Sequence, residues 1–371
     1  MRGPAALPFV IAAGGTGGHF FPAEALAAEL IARGHRVVLL TDSRSGGLTS
    51  PVFSGRESFV LPGAGIAGRG PIRAGKAVFS LSAGIVRARS ILAGLHPAAI
   101  IAFGGYPSVP PVIAARLIAH RPPVILHEQN AILGRANRFL SRHATLLALS
   151  FVATELVPDG ITTEVTGNPV RPAIAALFGA GYVPCGDRIQ LLVLGGSLGA
   201  RVFSDVVPAA IAALPDPMRS RVSVVQQCRG EDLERVHAAY TASGIHAELS
   251  AFFPDVAARL GAAHLVIARA GASTVAEIAV AGRPSILVPL PTAIDDHQSA
   301  NARALIAAHG ATAIAQDAFT PATLTADLVR LLSKPGALAH AARAARTVAR
   351  PNAASVLADR VEALARQEAR S

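Results

Sequence analysis

The chain has 371 residues, 51% of them hydrophobic and 16% charged, with 34 Lys+Arg against 24 Asp+Glu and a formal charge of +10. That apolar content excludes a disordered chain, and the length suffices for two domains with separate cores. Two cysteines, Cys185 and Cys228, exclude a disulfide framework and fit a reducing compartment.

Taken in chain order, strands are expected at Phe9–Ala13, Arg36–Thr41, Ala98–Phe103, Val124–His127 and Thr145–Ser150. Helices are expected at Pro22–Arg33, Ala74–Ala93, Pro107–Ala119 and Leu133–Ser141. The Pro8–Ala13 run, followed by a glycine-rich turn and a helix, reads as a buried strand and not as a secretory signal. A Pro/Gly-rich stretch, Arg171–Asp187, reads as a linker. A second series follows. Its strands are Ile189–Leu194, Val222–Gln226, His264–Ala268 and Ser285–Val288. Its helices are Ala200–Ala213, Glu231–Ser243, Ser273–Ala281, His297–His309 and Pro321–Leu332. A last helix is expected over 350–371. Continuous apolar strands alternating with helices predict parallel sheets covered on both faces. Two such series predict an α/β chain of two Rossmann-like, doubly wound domains, 1–170 and 171–349, with the last helix packed back on the first.

In an open parallel sheet, ligands bind beyond the carboxyl ends of the strands. The residues with chemistry lie there. Gly14-Gly15-Thr16-Gly17-Gly18-His19 follows the first strand, and Gly195-Gly196-Ser197-Leu198-Gly199-Ala200-Arg201 follows the first strand of the second series. Neither is a dinucleotide fingerprint or a Walker loop. Each lets backbone N–H groups and a helix N-terminus meet an anion. His19 is of the residue type suited to proton transfer, since unperturbed imidazole changes charge near neutrality. Arg269–Glu277 ends a strand and opens a helix, where Glu277 either grips ribose hydroxyls or caps the helix. Asp295-Asp296-His297-Gln298-Ser299-Ala300-Asn301 is a dense hydrogen-bonding set suited to a sugar, with Gln298 and Asn301 three apart. His127-Glu128-Gln129-Asn130 ends a first-domain strand. His-Glu adjacency on a strand is poor metal geometry, since neighbours point to opposite faces. No D-x-D occurs anywhere in the chain. No metal and no cofactor is assigned.

Charge is unevenly spread: residues 1–170 hold 15 basic and 8 acidic side chains, the remainder 19 and 16. A basic first half implies an anionic partner there. Nucleic acid is disfavoured by the absence of Trp and of basic runs interleaved with aromatics. Two long uncharged spans, Gly3–Ala23 and Pro97–Ala115, are broken by Pro and Gly and cannot cross a bilayer as helices. The stretch Arg69–Arg89 mixes Arg69, Arg73, Lys76, Arg87 and Arg89 with Ile72, Val78, Phe79, Leu81, Ile85 and Val86. This is the pattern of an interfacial helix on an acidic membrane, or of a core-packed helix.

Taken together, GGTGGHFFP (Gly14–Pro22), FGGYPS (Phe103–Ser108), HEQN (His127–Asn130), GNPVR (Gly167–Arg171), GGSLGAR (Gly195–Arg201), RAGASTVAEIAVAG (Arg269–Gly282) and DDHQSANA (Asp295–Ala302) resemble the MurG family of peptidoglycan glycosyltransferases, family 28. The resemblance spans nearly the whole chain. It implies a GT-B fold, with two domains facing across a cleft. It also implies an inverting transfer of GlcNAc from UDP-GlcNAc to the C4 hydroxyl of undecaprenyl-pyrophosphoryl-MurNAc-pentapeptide. It implies UDP-GlcNAc contacts by Thr16, Gly17, Gly18, Asn130, Arg171, Ser197, Phe253, Ala272, Ser273, Thr274, Glu277 and Gln298. His19 is the expected base, with Glu128 second, and the first glycine loop is expected to hold the acceptor's pyrophosphate. The place implied is the cytoplasmic face of the inner membrane, bound peripherally to an anionic surface. The sequence departs from the family at Leu198, where Gln is common, and at Phe253, where an aliphatic residue is usual. Rival readings are a glycolipid glucosyltransferase, a sugar-nucleotide 2-epimerase (whose extra carboxylates are not found) and a non-catalytic precursor binder.

Overall fold

A computed structural model of the chain describes residues 7–43, 50–62, 71–196, 199–334 and 336–368, and of residues 71–77 the backbone alone. The chain forms two compact units: Met1–Pro172 with Asn352–Ser371, and Ala173–Pro351.

Among the described residues, the first unit holds seven strands, β1 (Phe9–Ala12), β2 (Val37–Asp42), β3 (Ser58–Leu61), β4 (Ala99–Ala102), β5 (Val124–Glu128), β6 (Leu146–Leu149) and β7 (Thr163–Val165). They form one sheet in the order β3-β2-β1-β4-β5-β6-β7. Every pairing is parallel, with Val10 in register with Val38 on one side and Ile100 on the other. The central strands are apolar throughout because both faces are covered. Phe9 and Ile11 enter one core with Phe20, Leu26 and Leu30, while Val10 and Ala12 enter a second core with Ala88, Leu92 and Val112.

The first core includes the chain's far end. Leu357, Ala358 and Val361 of the Ala353–Glu368 helix are fully buried in it. Arg33 fixes that helix through Asp359 (2.6 Å), Glu362 (3.2 Å) and the Ser355 hydroxyl (2.8 Å). The Leu357→Ala protein is expected to lose about 2–5 kcal/mol of stability, since truncation leaves a cavity against the sheet. Urea unfolding followed by circular dichroism measures this.

The second unit holds β8 (Ile189–Leu194), β9 (Val222–Gln227), β10 (His246–Ser250), β11 (Leu265–Ala268), β12 (Ser285–Leu287) and β13 (Ala311–Ala313). Their order is β10-β9-β8-β11-β12-β13, again all parallel. Both sheets therefore reverse winding direction beside their first strand, between β1 and β4 and between β8 and β11. The loops leaving those strands are where an open α/β sheet binds ligands.

Four strands, β3, β7, β10 and β13, are absent from the sequence reading, and all four are sheet edges. Each is half-exposed and mixes polar residues into a short run, so no continuous apolar signal marks it. The first helix begins at Gly17, not at Pro22, with Thr16 as its extended N-cap. Pro22 lies inside this helix and withholds only the one N–H that would have met the Gly18 carbonyl. The Arg171–Asp187 stretch is not a free linker. It forms two short helices, Pro172–Ala175 and Leu177–Ala180, tied to the second unit by Arg346 at the Phe178 carbonyl and Arg283 at the Gly181 carbonyl.

Candidate functional site

In the first unit, loops after β1, β4 and β5 meet at the carboxyl edge of the sheet. Gly15 takes φ 84°, and Gly17 to His19 form the opening turn of the Gly17–Ala32 helix. That helix has no side-chain cap and no acid in its first turn, so its positive end is not neutralised from within. Gly17 packs closely: a Cβ there would lie 2.8 Å from the Phe21 ring, which would have to shift to admit it. The same ring carries the Arg171 guanidinium, 4.8 Å from its centroid. This stacking brings the expected cation of the GNPVR motif to the first glycine loop.

After β4, Gly104 and Gly105 take φ 79° and 68° in succession. A Cβ on Gly105 would lie 3.3 Å from His19 Cδ2 and 3.4 Å from its Nε2, so only glycine keeps that ring edge uncovered. His19 Nδ1 lies 2.8 Å from Gln129 Oε1. The Gln129 amide nitrogen in turn meets both Nδ1 and the carbonyl of His127, each at 3.0 Å.

Glu128, the second choice of base, is engaged by neighbouring donors. Its Oε1 accepts from the backbone and side-chain nitrogens of Asn130 (2.9 and 3.0 Å), and its Oε2 from Gly134 N and Asn137 Nδ2 (2.9 Å each). It is only 2% exposed. A carboxylate with four donors already in place shapes the 130–137 loop. Asn130, expected to touch the donor, is set by this carboxylate.

His127 is fully buried, and burial pushes its pKa down to about 4 despite the Gly167 carbonyl on its ring. A buried neutral histidine gains its proton more readily in the unfolded chain. Between pH about 6.5 and about 4 the unfolded state therefore binds more protons, and stability falls as pH falls. The loss is on the order of 3 kcal/mol across that window. A His127→Phe protein is expected to show a flatter stability–pH curve in denaturant titrations over the same range.

In the second unit, the loop after β8 is drawn tight. Gly195 N donates to Gln227 Oε1 (3.2 Å), and Gln227 Nε2 donates to the Gly196 and Ala251 carbonyls. Gln227 ends β9 and carries no sequence signal of its own. The loop delivers the Arg201–Ala212 helix, again with no side-chain cap and no acid in its first turn. Ser197 and Leu198 lie outside the described residues.

After β11, Ala272, Ser273 and Thr274 open the Ala272–Ala281 helix, whose N-cap is Gly271. Glu277 stands at the sixth helical position and is 8% exposed, too far from the end to cap it. Arg269 is buried and fixes the neighbouring loop, donating to the Val288 and Pro289 carbonyls and to Gln316. Gln298 Oε1 accepts from Leu290 N at 3.0 Å. Its amide group is thereby oriented with the nitrogen as the end left to donate. Asn301 does not share that role: it is fully buried and donates to the Ala270 carbonyl. Asp295 and Asp296 both take positive φ (54° and 51°), an uncommon conformation for consecutive non-glycine residues at a helix start. The Phe253 ring is 4% exposed and covered by the Arg259 guanidinium at 4.0 Å. Its extra bulk is absorbed by packing, and Arg259 is itself pinned by Glu248 and Asp255.

Among the described residues, no group of three or more His, Cys, Asp or Glu could hold a metal ion. Two cavities of about 250 and 380 Å³, one beside His35 and Glu362 and one beside Tyr182 and Cys185, contain none of the expected site residues.

The glycosyltransferase family 28 N-terminal domain matches residues 9–148, and the family 28 C-terminal domain matches residues 190–357. The chain belongs to glycosyltransferase family 28. Both family 28 domains thus carry one of the two glycine loops. A protein of Granulibacter bethesdensis is 62% identical over 97% of this chain and 94% of its own length. One from Gluconobacter oxydans is 53% identical over 97% and 99%. Each is named a UDP-N-acetylglucosamine–N-acetylmuramyl-(pentapeptide) pyrophosphoryl-undecaprenol N-acetylglucosamine transferase. A crystal structure of MurG from Acinetobacter baumannii is similar with a TM-score of 0.75 and 30% identity, over 95% of this chain and 98% of that one. A UDP-GlcNAc 2-epimerase from Neisseria meningitidis shares the fold at 11% identity and a TM-score of 0.65. The two parallel-sheet α/β domains are those of the GT-B class expected from the sequence.

Proposed function

We propose that this family 28 enzyme transfers N-acetylglucosamine from UDP-N-acetylglucosamine to the C4 hydroxyl of undecaprenyl-pyrophosphoryl-N-acetylmuramyl-pentapeptide, with inversion at the anomeric carbon. The observation that carries the reading is the 62% identity over 97% of the chain to a transferase named for those substrates. The site chemistry is consistent with it. The C4 oxygen attacks the anomeric carbon as the bond from that carbon to the UDP oxygen breaks. The hydroxyl proton passes to His19 Nε2, and UDP departs with the bonding electrons. One displacement inverts, and it needs one base and no carboxylate nucleophile. Thr16, Gly17, Gly18, Asn130 and Arg171 are assigned to substrate phosphate and sugar. Ser197, Ala272, Ser273 and Thr274 are assigned to the diphosphate, the Phe253 backbone to uracil, Glu277 to the ribose and Gln298 to the GlcNAc hydroxyls. The helix starts at Arg201 and Ala272, whose N-cap residues Ala200 and Gly271 give no side-chain cap, support the assignment of the departing diphosphate to the second unit.

The test is UDP release from UDP-GlcNAc with the lipid-linked muramyl-pentapeptide, with the anomeric configuration of the product read by NMR. Release only with a different acceptor, or epimerisation of the donor without transfer, would overturn the reading.

We also propose that the first unit lies on an anionic bilayer. The Pro71–Leu95 helix is, over Val78–Leu95, long and apolar enough to cross a membrane by length and composition. One face, with Ala88 and Leu92 fully buried, belongs to the core. The other exposes Val78 (64%), Phe79 (78%) and Val86 (69%) beside exposed Arg87 and Arg89. A helix held in the core on one side and apolar with cations on the other fits an interfacial position. Arg69 lies outside the described residues, as do the side chains of Ile72, Arg73 and Lys76. Phe79→Asp is expected to weaken flotation with phosphatidylglycerol vesicles on the order of tenfold. High salt is expected to release the wild type in the same assay.

A further inference from the structure

Four groups at the carboxyl edge of the first sheet form one directional chain of hydrogen bonds. The Gly167 carbonyl lies 3.0 Å from His127 Nε2 and can only accept, so His127 carries its proton on Nε2. His127 Nδ1 is then a lone pair, and it accepts from the Gln129 amide nitrogen at 3.0 Å. The second amide hydrogen meets the His127 carbonyl, also at 3.0 Å. Turning the amide over would set Gln129 Oε1 against two acceptors at once, so its orientation is fixed from both sides. Oε1 is left facing His19 Nδ1 at 2.8 Å. An oxygen there must receive a hydrogen, and neutral His19 therefore holds its proton on Nδ1.

We propose that Gln129, oriented by His127, is a positioning residue that fixes the tautomer of His19 and keeps Nε2 as the lone pair offered to the substrate. Unconstrained neutral imidazole in water favours the proton on Nε2, the form that could not accept a proton there. The relay reverses this preference. Among the described residues nothing hydrogen-bonds His19 Nε2, and the bare Gly105 backbone beside it leaves that edge uncovered. The arrangement does for His19 what an orienting third group does in any base-assisted transfer, with a neutral amide in place of a carboxylate. The catalytic consequence rests on the reading of His19 as base under the proposed function, whereas the tautomer itself does not.

The experiment separates the two. Full-length protein labelled with ¹⁵N-histidine is observed near pH about 8.5, where ordinary imidazoles are neutral, and the His19 signals are assigned by their loss in His19→Asn. Wild type is expected to show a pyrrole-type Nδ1 and a pyridine-type Nε2. Gln129→Met should reverse them and lower kcat by about 10- to 100-fold, with KM for UDP-GlcNAc held. A wild-type His19 protonated on Nε2 would overturn the proposal, and so would an unchanged tautomer in Gln129→Met. The wild-type spectrum alone decides the first point if the Met variant fails to fold. A reversed tautomer with unchanged kcat would overturn the catalytic role of Gln129. Near-normal turnover in His19→Asn would instead remove the base assignment and leave the tautomer relay standing.

Discussion

The His19→Ala protein is expected to turn over about 10²–10⁴-fold more slowly than wild type while still binding UDP. The reason is local. Its Nδ1 is occupied by Gln129 and its Nε2 edge is kept open by Gly105, while the two titratable side chains of the neighbouring His127-Glu128 pair are engaged elsewhere. Glu128 is saturated by four donors, and His127 is buried with its ring nitrogens engaged. Loss of the imidazole should therefore lower kcat and kcat/KM together, the pattern of an interaction made in the transition state. Steady-state kinetics with the lipid-linked acceptor, beside calorimetric titration with UDP, gives both quantities. A kcat within a few-fold of wild type would remove His19 from the chemistry.

The second large effect is expected at Gly195. A Cβ built there would lie 2.4 Å from Ala200 N and 2.8 Å from the Gly199 backbone, distances that real side chains do not show. The obstacle is main chain, so it cannot swing aside as a side-chain end would. Gly195→Ala must open the loop, break the Gly195–Gln227 hydrogen bond and shift the start of the Arg201–Ala212 helix. UDP affinity is expected to fall about 30- to 100-fold, which corresponds to roughly 2–3 kcal/mol. Gly196 is the control. It takes φ 82° but a Cβ there meets nothing within 4 Å, so Gly196→Ala should cost only about 1–2 kcal/mol of backbone strain. Calorimetry on both proteins, with circular dichroism to verify folding, checks the order. Equal losses would mean that the loop tolerates being opened.

The interior of both sheets was legible because burial on two faces demands uninterrupted apolar strands. Ile189–Leu194 reads this way from its residues alone. The edge strands Ser58–Leu61 and His246–Ser250 do not, since half of each faces solvent and its polar residues look like loop. The first helix was placed five residues late because Pro22 looks like a start, whereas an internal proline costs this helix only one hydrogen bond near its open end. Among site residues, the glycine loops and His19 stand out by type and spacing. Gln227 and Arg269 do not, because they act by holding backbone carbonyls and N–H groups that are distant in sequence. Gln298 and Asn301, three apart on one helix, looked alike. Packing separated them, orienting one amide at the Leu290 N–H and sealing the other beneath the Ala270 carbonyl.

Residue pattern alone thus determined two doubly wound parallel sheets, a glycine loop after the first strand of each, and the family with its reaction. The sheets and loops follow from short-range rules, strand burial, the reach of glycine and the charge at helix ends, whereas the family and its reaction are what the resemblance of the motifs implies. Which strand lies beside which, which glutamine braces which loop, and which nitrogen of His19 holds the proton were decided only in three dimensions. Those outcomes depend on atoms brought within 3 Å across 31 to 110 residues of chain, a proximity that no local pattern encodes.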